Sequence, residues 1–417
     1  MSVRALFSDP DPAGGRLTGA IRRVALAWTS PVSVLLSAAM WFLDSRDLIA
    51  RYRTTAQVPP LGFDLRFSWQ AAKAFLGGGH PYTDPNFNYP PSNLLFSWPL
   101  GLFRFGSLLR PILVAAIILM VLSVMMSAAA VGRRWWGLSA AIAVWLLNGG
   151  LPFPQVLILL NASILMAFAL ALFFLLVSRD HWVSGAVVLG ISLCIKPLLL
   201  PVLVVFLLAR RWWPLGISLG IPLGLNLVAF AVVPNVGQVW SRPGYLLSGA
   251  GAVFNPYNAA VKGVGAAHDW PVLLIIGLRI AAGAVALFVI WWAWHRLTSP
   301  TLRVITAGSA ALLGAFLSGT LAEDHYMLMF VPLMMTVTAR HSPLRFPLAW
   351  VGAAWIMYIW PLPVRWLGGN NVVAANSALE AIGMALVLIT MATDLASRGR
   401  TVSFPHPRIN PGSLEGH

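Results

Sequence analysis

With 417 residues, 58% of them hydrophobic and only 10% charged, the chain holds too few charges for a soluble domain, where about a quarter of residues are charged. A net charge of +15 does not call for nucleic acid here, because many arginines sit in pairs at the ends of apolar runs, the positive-inside pattern. The single cysteine, Cys194, lies inside an apolar run, which excludes a disulfide framework and a cysteine-rich zinc site within this chain.

In chain order, residues 1–23 are rich in Pro, Gly and Asp and are expected to form a disordered cytoplasmic N-terminus. They lack a short signal peptide with a small-residue cleavage site. Arg22 and Arg23 precede a full-length apolar run, 24–43, which reads as an uncleaved first span. Residues 44–107 form a polar, aromatic outside loop with interfacial helices. Within it, 92–105 is apolar but is expected to lie flat at the outer interface. Further apolar runs follow at 108–131, 137–150, 154–177, 184–195, 198–209, 214–233, 271–294, 302–318, 325–338, 346–361 and 373–394. A full helical span needs about 20 apolar residues, so several of these are half-length. Lys196-Pro197 should break the pair 184–195 and 198–209.

Placing Arg22/Arg23, Arg133/Arg134, Arg179, Arg210/Arg211, Arg296, Arg340/Arg345 and Arg398/Arg400 on the cytoplasmic side gives one consistent topology. The expected fold is all-α and polytopic, one domain over 24–394 with about 11–12 membrane segments and a mobile cytoplasmic tail, 395–417. The loops 44–90, 148–155, 234–270, 318–325 and 362–372 then face outward and hold most of the unusual polar residues. That is the organisation of a membrane enzyme or a transporter whose site lies near the outer face.

The chain has only thirteen carboxylates. Asp9, Asp11 and Glu415 fall in the tails, and Asp180 and Asp394 sit beside cytoplasmic arginines. Asp44 and Asp47 interleave with arginines as surface pairs, while Asp84 and Asp269 occupy loops. Glu380, inside the last apolar run, reads as a structural contact. Asp64 opens the helix-like FDLRFSWQAAKAFLGGG and has two readings. One is a helix N-cap. The other is a general base that takes the proton of an incoming hydroxyl. Burial against Phe63, Phe67 and Trp69 would raise its pKa, and Arg66 would lower it.

Glu323, Asp324 and His325 lie where a span re-enters. Three consecutive residues cannot all face one ion, so a metal site there is weak; a helix cap and a phosphate or sugar anchor through His325 are equally open. Lys196 and Arg279 sit mid-run. Each either snorkels to the interface or reaches one anionic group, such as a lipid phosphate. FNYPPSN, 87–93, fixes the backbone with two prolines and offers Tyr89 and Asn93 as hydrogen-bonding groups.

The order Asp64, then Gly79-His80-Pro81-Tyr82, then Tyr89-Pro90-Pro91 resembles the GT-C membrane glycosyltransferases, and more closely glycosyltransferase family 87. Within that family, LNASILMAF, the Lys196-Pro197-Leu198-Leu199 segment, GYLLSGAGAVFNPYNAAVKGVG, GLRI and the HYMLMF stretch are more similar to the branching α(1→3) arabinofuranosyltransferases than to the mannosyltransferases. The resemblance implies an inverting transfer at the outer face of the plasma membrane. The donor would be decaprenyl-phosphate arabinose, and the acceptor an arabinan of cell-wall arabinogalactan or lipoarabinomannan. It implies Asp64 as the base and Lys196, Arg279 and His325 around the donor phosphate. Tyr89, Asn161, Asn255, Asn258 and Arg66 would bind substrate. No metal and no cofactor are expected, since cations can stabilise a leaving lipid phosphate. The chain departs from the family in having Phe63 where a second acid often precedes the catalytic one.

Two other functions compete. One is a mannosyltransferase that uses polyprenyl-phosphate mannose to build phosphatidylinositol mannosides or lipomannan. The other is a transporter or flippase of a lipid-linked sugar, which usually carries paired repeats with matching broken helices; only one broken pair is visible in the sequence.

Overall fold

The computed structural model describes residues 60–84, 86–131, 152–239, 258–339, 342–357 and 372–397. The expected first span 24–43, the run 137–150, the N-terminal segment 1–23, residues 398–417 and Asn255 lie outside the described residues, while 395–397 of the expected tail complete the last helix. Among the described residues the secondary structure is helical, with one isolated bridge between Asn258 and Glu323 and no strands. The fold is the all-α, polytopic membrane architecture expected of a GT-C enzyme.

Two short helices come first: α1, Phe63–Leu76, and α2, Pro91–Ser97, which continues as a 3-10 turn through Leu102. Fourteen and seven residues rise only about 21 and 11 Å, too little to cross a bilayer core of about 30 Å. Neither spans on its own. The bundle follows as α3 (Phe105–Ala130), α4 (Pro152–Leu159), α5 (Ser163–Ser178) and α6 (Trp182–Ile195). A 3-10 turn, Pro197–Leu203, leads into α7 (Val204–Leu208), and then come α8 (Trp212–Val232) and the short α9 (Val261–Ala267). Next are α10 (Val272–Arg296), α11 (Pro300–Ser318), a 3-10 turn Asp324–Phe330 leading into α12 (Val331–Met335), α13 (Pro347–Met357) and α14 (Val372–Ser397). Five stretches are long and apolar enough to cross a membrane: Phe105–Ala130, Trp212–Val232, Val272–Arg296, Pro300–Ser318 and Ser377–Ser397.

α11 is the most enclosed of these, with α10, α14 and α5 against it. α3 packs on α5, α6 on α8, and α13 on α14. At the last contact the backbones touch: a Cβ on Gly352 would come 2.7 Å from the Gly383 carbonyl oxygen, and the reverse holds equally. Small residues at a crossing allow this approach in lipid, where dispersion replaces the hydrophobic drive between helices. The outward faces of α8 and α10 carry exposed large apolar residues such as Leu223, Leu227, Leu273 and Ile280, as lipid-facing surface should.

Two helical interruptions depart from regular spans, and both matter for the site. The first was expected: α6 stops at Ile195, and Lys196 is extended (φ −153°, ψ 121°) ahead of Pro197. A proline disfavours the helical conformation of the residue before it. The second was not. The apolar run 154–177 reads as one segment, but the chain breaks between α4 and α5, with Leu160 in the left-handed region at φ 50° and Asn161 following it. A branched apolar residue pays for that conformation, and such strain gathers at functional sites. No proline or glycine marks the break, and Asn161 and Ser163 within an apolar run do not by themselves tell a broken helix from a continuous one.

Candidate active site

The two breaks meet. Asn161, at the break before α5, and Lys196, at the break after α6, lie side by side because α5 and α6 are antiparallel neighbours joined by a tight turn. Lys196 Nζ donates to Asn161 Oδ1 (3.2 Å) and to Ser163 Oγ (3.3 Å). Asn161 Oδ1 also accepts from the Ser163 backbone N–H (2.8 Å) and hydroxyl (2.7 Å). With its carbonyl side so occupied, the Asn161 amide can only present its NH₂, and Nδ2 donates to Asp64 Oδ2 at 2.5 Å. A cation, an amide and a carboxylate thus form one hydrogen-bonded row from three separate parts of the chain.

α1 brings Asp64 there. Its N-cap is Gly62 at φ 78°, and no side chain caps the helix, so Asp64 serves as the first-turn acid and not as the cap. The two readings left open by the sequence are separated by that geometry: the carboxylate turns toward Asn161 and away from its own helix N-terminus. Gly62 N–H donates to Ile158 O (2.6 Å), docking the start of α1 on the end of α4. A Cβ at Gly62 would lie 2.6 Å from Leu109 Cδ2, and its positive φ favours glycine. Phe63 and Phe67 meet edge to face (centroids 5.0 Å apart) on the same helix. The Asp64 carboxyl is raised from its ordinary value of 3.8, chiefly by burial, with the Asn161 hydrogen bond and the Lys196 charge pulling it back. Lys196 therefore plays the part expected of Arg66, which is exposed on α1.

The YPP segment supports Lys196 from the other side. Ending α6 at Ile195 leaves its last carbonyls without intrahelical donors. Ser92 Oγ donates to Cys194 O (2.9 Å), and Asn93 Nδ2 donates to Ile195 O (3.0 Å). Asn226 of α8 accepts from Ser92 N–H (3.0 Å). Pro90 and Pro91 start α2, and the next two residues stitch the break that presents Lys196. Tyr89 lies half-buried beside Phe87 (5.5 Å between centroids) and within electrostatic reach of Asp64 and Glu323.

The 318–326 segment closes the site. Lys196 Nζ sits 4.5 Å from the centroid of the Tyr326 ring, a cation–π arrangement. His325 Nε2 lies 3.3 Å from Glu323 Oε2, and His325 meets Tyr326 edge to face (4.8 Å). Glu323 is a second carboxylate on the same cation: burial works against the charge on Lys196, and the charges of Glu323 and Asp64 support it. Asn258 is 1% exposed and ties this segment to the preceding loop. Its Oδ1 accepts from Ala260 N–H and Ala322 N–H (3.0 Å each), and its Nδ2 donates to Thr320 O (2.9 Å). Its amide is thus spent on backbone, at the bridge to Glu323.

The structure therefore brings together Asp64, Asn161, Lys196, Tyr89 and His325. Arg66 does not join them. Arg279 reaches from α10 to the same segment, Nε donating to Ser318 O (2.6 Å), and no described hydrogen bond connects it to Asp64 or Lys196. Ser163, Glu323 and Tyr326 were not singled out as site residues. The Glu323-Asp324-His325 cluster was a signal for the second, and no periodicity marks the other two. Among the described residues no group of three or more His, Cys, Asp or Glu side chains is arranged to hold a metal ion. Glu380, fully buried in α14, lies against Asp324, as the structural reading of that residue anticipated.

In this multi-pass helical bundle a carboxylate, an amide and a cation cluster where two helices break. The chain belongs to glycosyltransferase family 87, whose model matches residues 87–323, more than half its length. It is similar to the alpha-(1->3)-arabinofuranosyltransferase of Mycobacterium tuberculosis H37Rv, 28% identical over 305 residues, 68% of this chain and 67% of that protein. The alpha-(1->3)-arabinofuranosyltransferase of Mycolicibacterium smegmatis is 24% identical over 308 residues, 69% of each chain. That of Corynebacterium glutamicum is 24% identical over 332 residues, 76% of this chain and 78% of that protein. No solved structure matches the chain.

Proposed function

We propose that this protein is an inverting arabinofuranosyltransferase. It moves arabinofuranose from decaprenyl-phosphate arabinose to the 3-hydroxyl of an arabinan outside the plasma membrane, as a branching step in arabinogalactan or lipoarabinomannan synthesis. The observation that carries the chemistry is the Asp64–Asn161–Lys196 row. An inverting transfer needs one base and one stabilised leaving group. Burial raises Asp64 and so makes it a stronger base than a free carboxylate, while Asn161 and Lys196 favour its charged form. As the C–O bond to the phosphate breaks, negative charge grows on the lipid phosphate. Lys196 neutralises it there, with His325 beside it and Arg279 at the rim, so catalysis is electrostatic. The acceptor proton passes to Asp64, and the polyprenyl phosphate leaves as the anion. Tyr89, half-buried beside the row, offers a flat face for the furanose ring.

The choice of arabinose rests on the names of the three relatives and on the sequence features shared with that branch. Purified protein would be given decaprenyl-phosphate arabinose and, separately, a polyprenyl-phosphate mannose, each with a synthetic arabinan and an inositol-mannoside acceptor. Transfer of arabinose alone, with a new α(1→3) linkage, is expected. Transfer of mannose to the inositol mannoside would replace the proposal with the mannosyltransferase reading.

A further inference from the structure

α5 is 16 residues long and so separates its ends by about 24 Å. Its start carries Asn161 and the catalytic cluster. Its far end opens a cleft of about 680 Å³ lined by Asp180, His181, Trp182, Arg210, Arg211 and Trp212, among others. The cleft is built from two copies of one turn. In the first, Asp180 is left-handed (φ 64°), His181 N–H donates to Leu176 O (2.9 Å), and α6 starts at Trp182. In the second, Arg210 is left-handed (φ 54°), Arg211 N–H donates to Phe206 O (2.9 Å), and α8 starts at Trp212. Glycine or asparagine is the usual residue at such a position; here the second turn carries an arginine.

The charges in the cleft do not cancel. The Arg210 backbone N–H donates to Leu207 O (3.1 Å), but its side chain is exposed and makes no hydrogen bond or ion pair with the described residues, and His181 is exposed. Arg211 reaches Asp180 at 3.4 Å, but the side chains of that pair are 48% and 80% exposed, so the carboxylate holds it weakly. Asp180 also accepts from the Trp182 indole N–H, and the Arg211 guanidinium lies 5.1 Å from the centroid of that ring. Trp212 and Trp213 are 64% and 74% exposed next to the arginines. Indoles belong at the level of lipid headgroups. Neither α6 nor α8 has a side-chain cap, which leaves first-turn N–H groups for an acceptor. Surplus cations, a cleft of headgroup size and interfacial indoles share one place.

We propose that this cleft binds the phosphate headgroup of an anionic phospholipid from the leaflet opposite the catalytic cluster. Arg210 and Arg211 hold the phosphate, and Trp212 and Trp213 flank the start of its acyl chains. Basic pockets between membrane helices recognise anionic headgroups in this way, and a guanidinium fork matches phosphate oxygens. The site is independent of the sugar donor and stands whichever glycan the enzyme extends.

The test is native mass spectrometry of the full-length purified protein, with phosphatidylglycerol or phosphatidylcholine of identical acyl chains. One phosphatidylglycerol should be retained in preference to phosphatidylcholine by about 30-fold, the effect of two arginines at an anionic headgroup. Arg210→Gln/Arg211→Gln should lose that preference. Arg104→Gln/Arg110→Gln, which removes equal charge at the catalytic end, should keep it. Equal retention of both lipids by the unaltered protein, or the same loss in both double variants, would overturn the site. Release of the lipid by millimolar inorganic phosphate would overturn the lipid assignment in favour of a soluble anion. Should the first double variant fail to purify, salt decides on the unaltered protein: a preference that did not weaken with rising salt would also overturn the proposal.

Discussion

Replacing Asn161 with alanine tests how the row works as a unit. The amide makes one hydrogen bond to the Asp64 carboxylate and accepts three, from Lys196, Ser163 N–H and the Ser163 hydroxyl. Asn161→Ala removes the donor that steadies the base and lowers its pKa, while Lys196 keeps only Ser163. A hydrogen bond to a charged group is worth about 1.5–3 kcal/mol. If that energy is expressed in the transition state, kcat/KM falls by about tenfold to about 150-fold at 1.36 kcal/mol per factor of ten. The loss has a second signature. Without Asn161, burial acts on Asp64 with less opposition, so the acid limb of the pH–rate profile moves to higher pH. The assay is arabinose transfer from the lipid donor measured across pH. A variant with the same acid limb and a rate within threefold of the unaltered enzyme would refute the claim that Asn161 tunes the base.

Three further outcomes follow from the same geometry. Lys196→Met should lower kcat/KM by about 10²–10³ by removing the cation at the leaving phosphate, measured with saturating acceptor. Gly62→Ala places a Cβ 2.6 Å from Leu109 Cδ2 at a positive φ; it should cost about 1–3 kcal/mol of stability and reduce activity by displacing Asp64, read by thermal unfolding beside transfer assays. Asp64→Asn should raise stability at neutral pH. A carboxyl raised in the folded state binds its proton more tightly there, so its stabilising effect is full below 3.8 and is lost as pH rises through the folded value. The variant's advantage in unfolding temperature should therefore shrink as the pH is lowered toward 3.8, and an advantage that grew on acidification would contradict it.

Much of this was legible in the chain because lipid imposes simple rules. Apolar runs of sufficient length became α3, α8, α10, α11 and α14, and Lys196-Pro197 broke the helix where a proline disfavours a helical conformation of the residue before it. Lys196 stood out as a charge within an apolar run, Asp64, Tyr89 and His325 as polar groups in or beside the outward loops, and Asn161 only through the resemblance to family 87. What stayed hidden depended on tertiary contact. The Leu160 break has no proline or glycine signal, and Asn161 beside it does not by itself mark a break. Asn258 reads as a possible ligand, yet its amide is consumed by Ala260, Ala322 and Thr320. Ser92 and Asn93 look like surface groups of a YPP turn, but they bind the carbonyls at the end of α6, about a hundred residues away in sequence. Arg66 neighbours Asp64 in sequence, yet the cation that acts on the carboxylate is Lys196.

The central claim is that Asp64 is the base of the transfer. Asp64→Asn keeps the shape of the side chain and an oxygen to accept from Asn161, so donor binding should be retained. Arabinose transfer from decaprenyl-phosphate arabinose to an arabinan acceptor by this variant is the most direct measurement. A fall of about 10²–10⁴, the range of a general base, with donor affinity unchanged, is the expected result. Transfer within a few-fold of the unaltered enzyme would contradict the account.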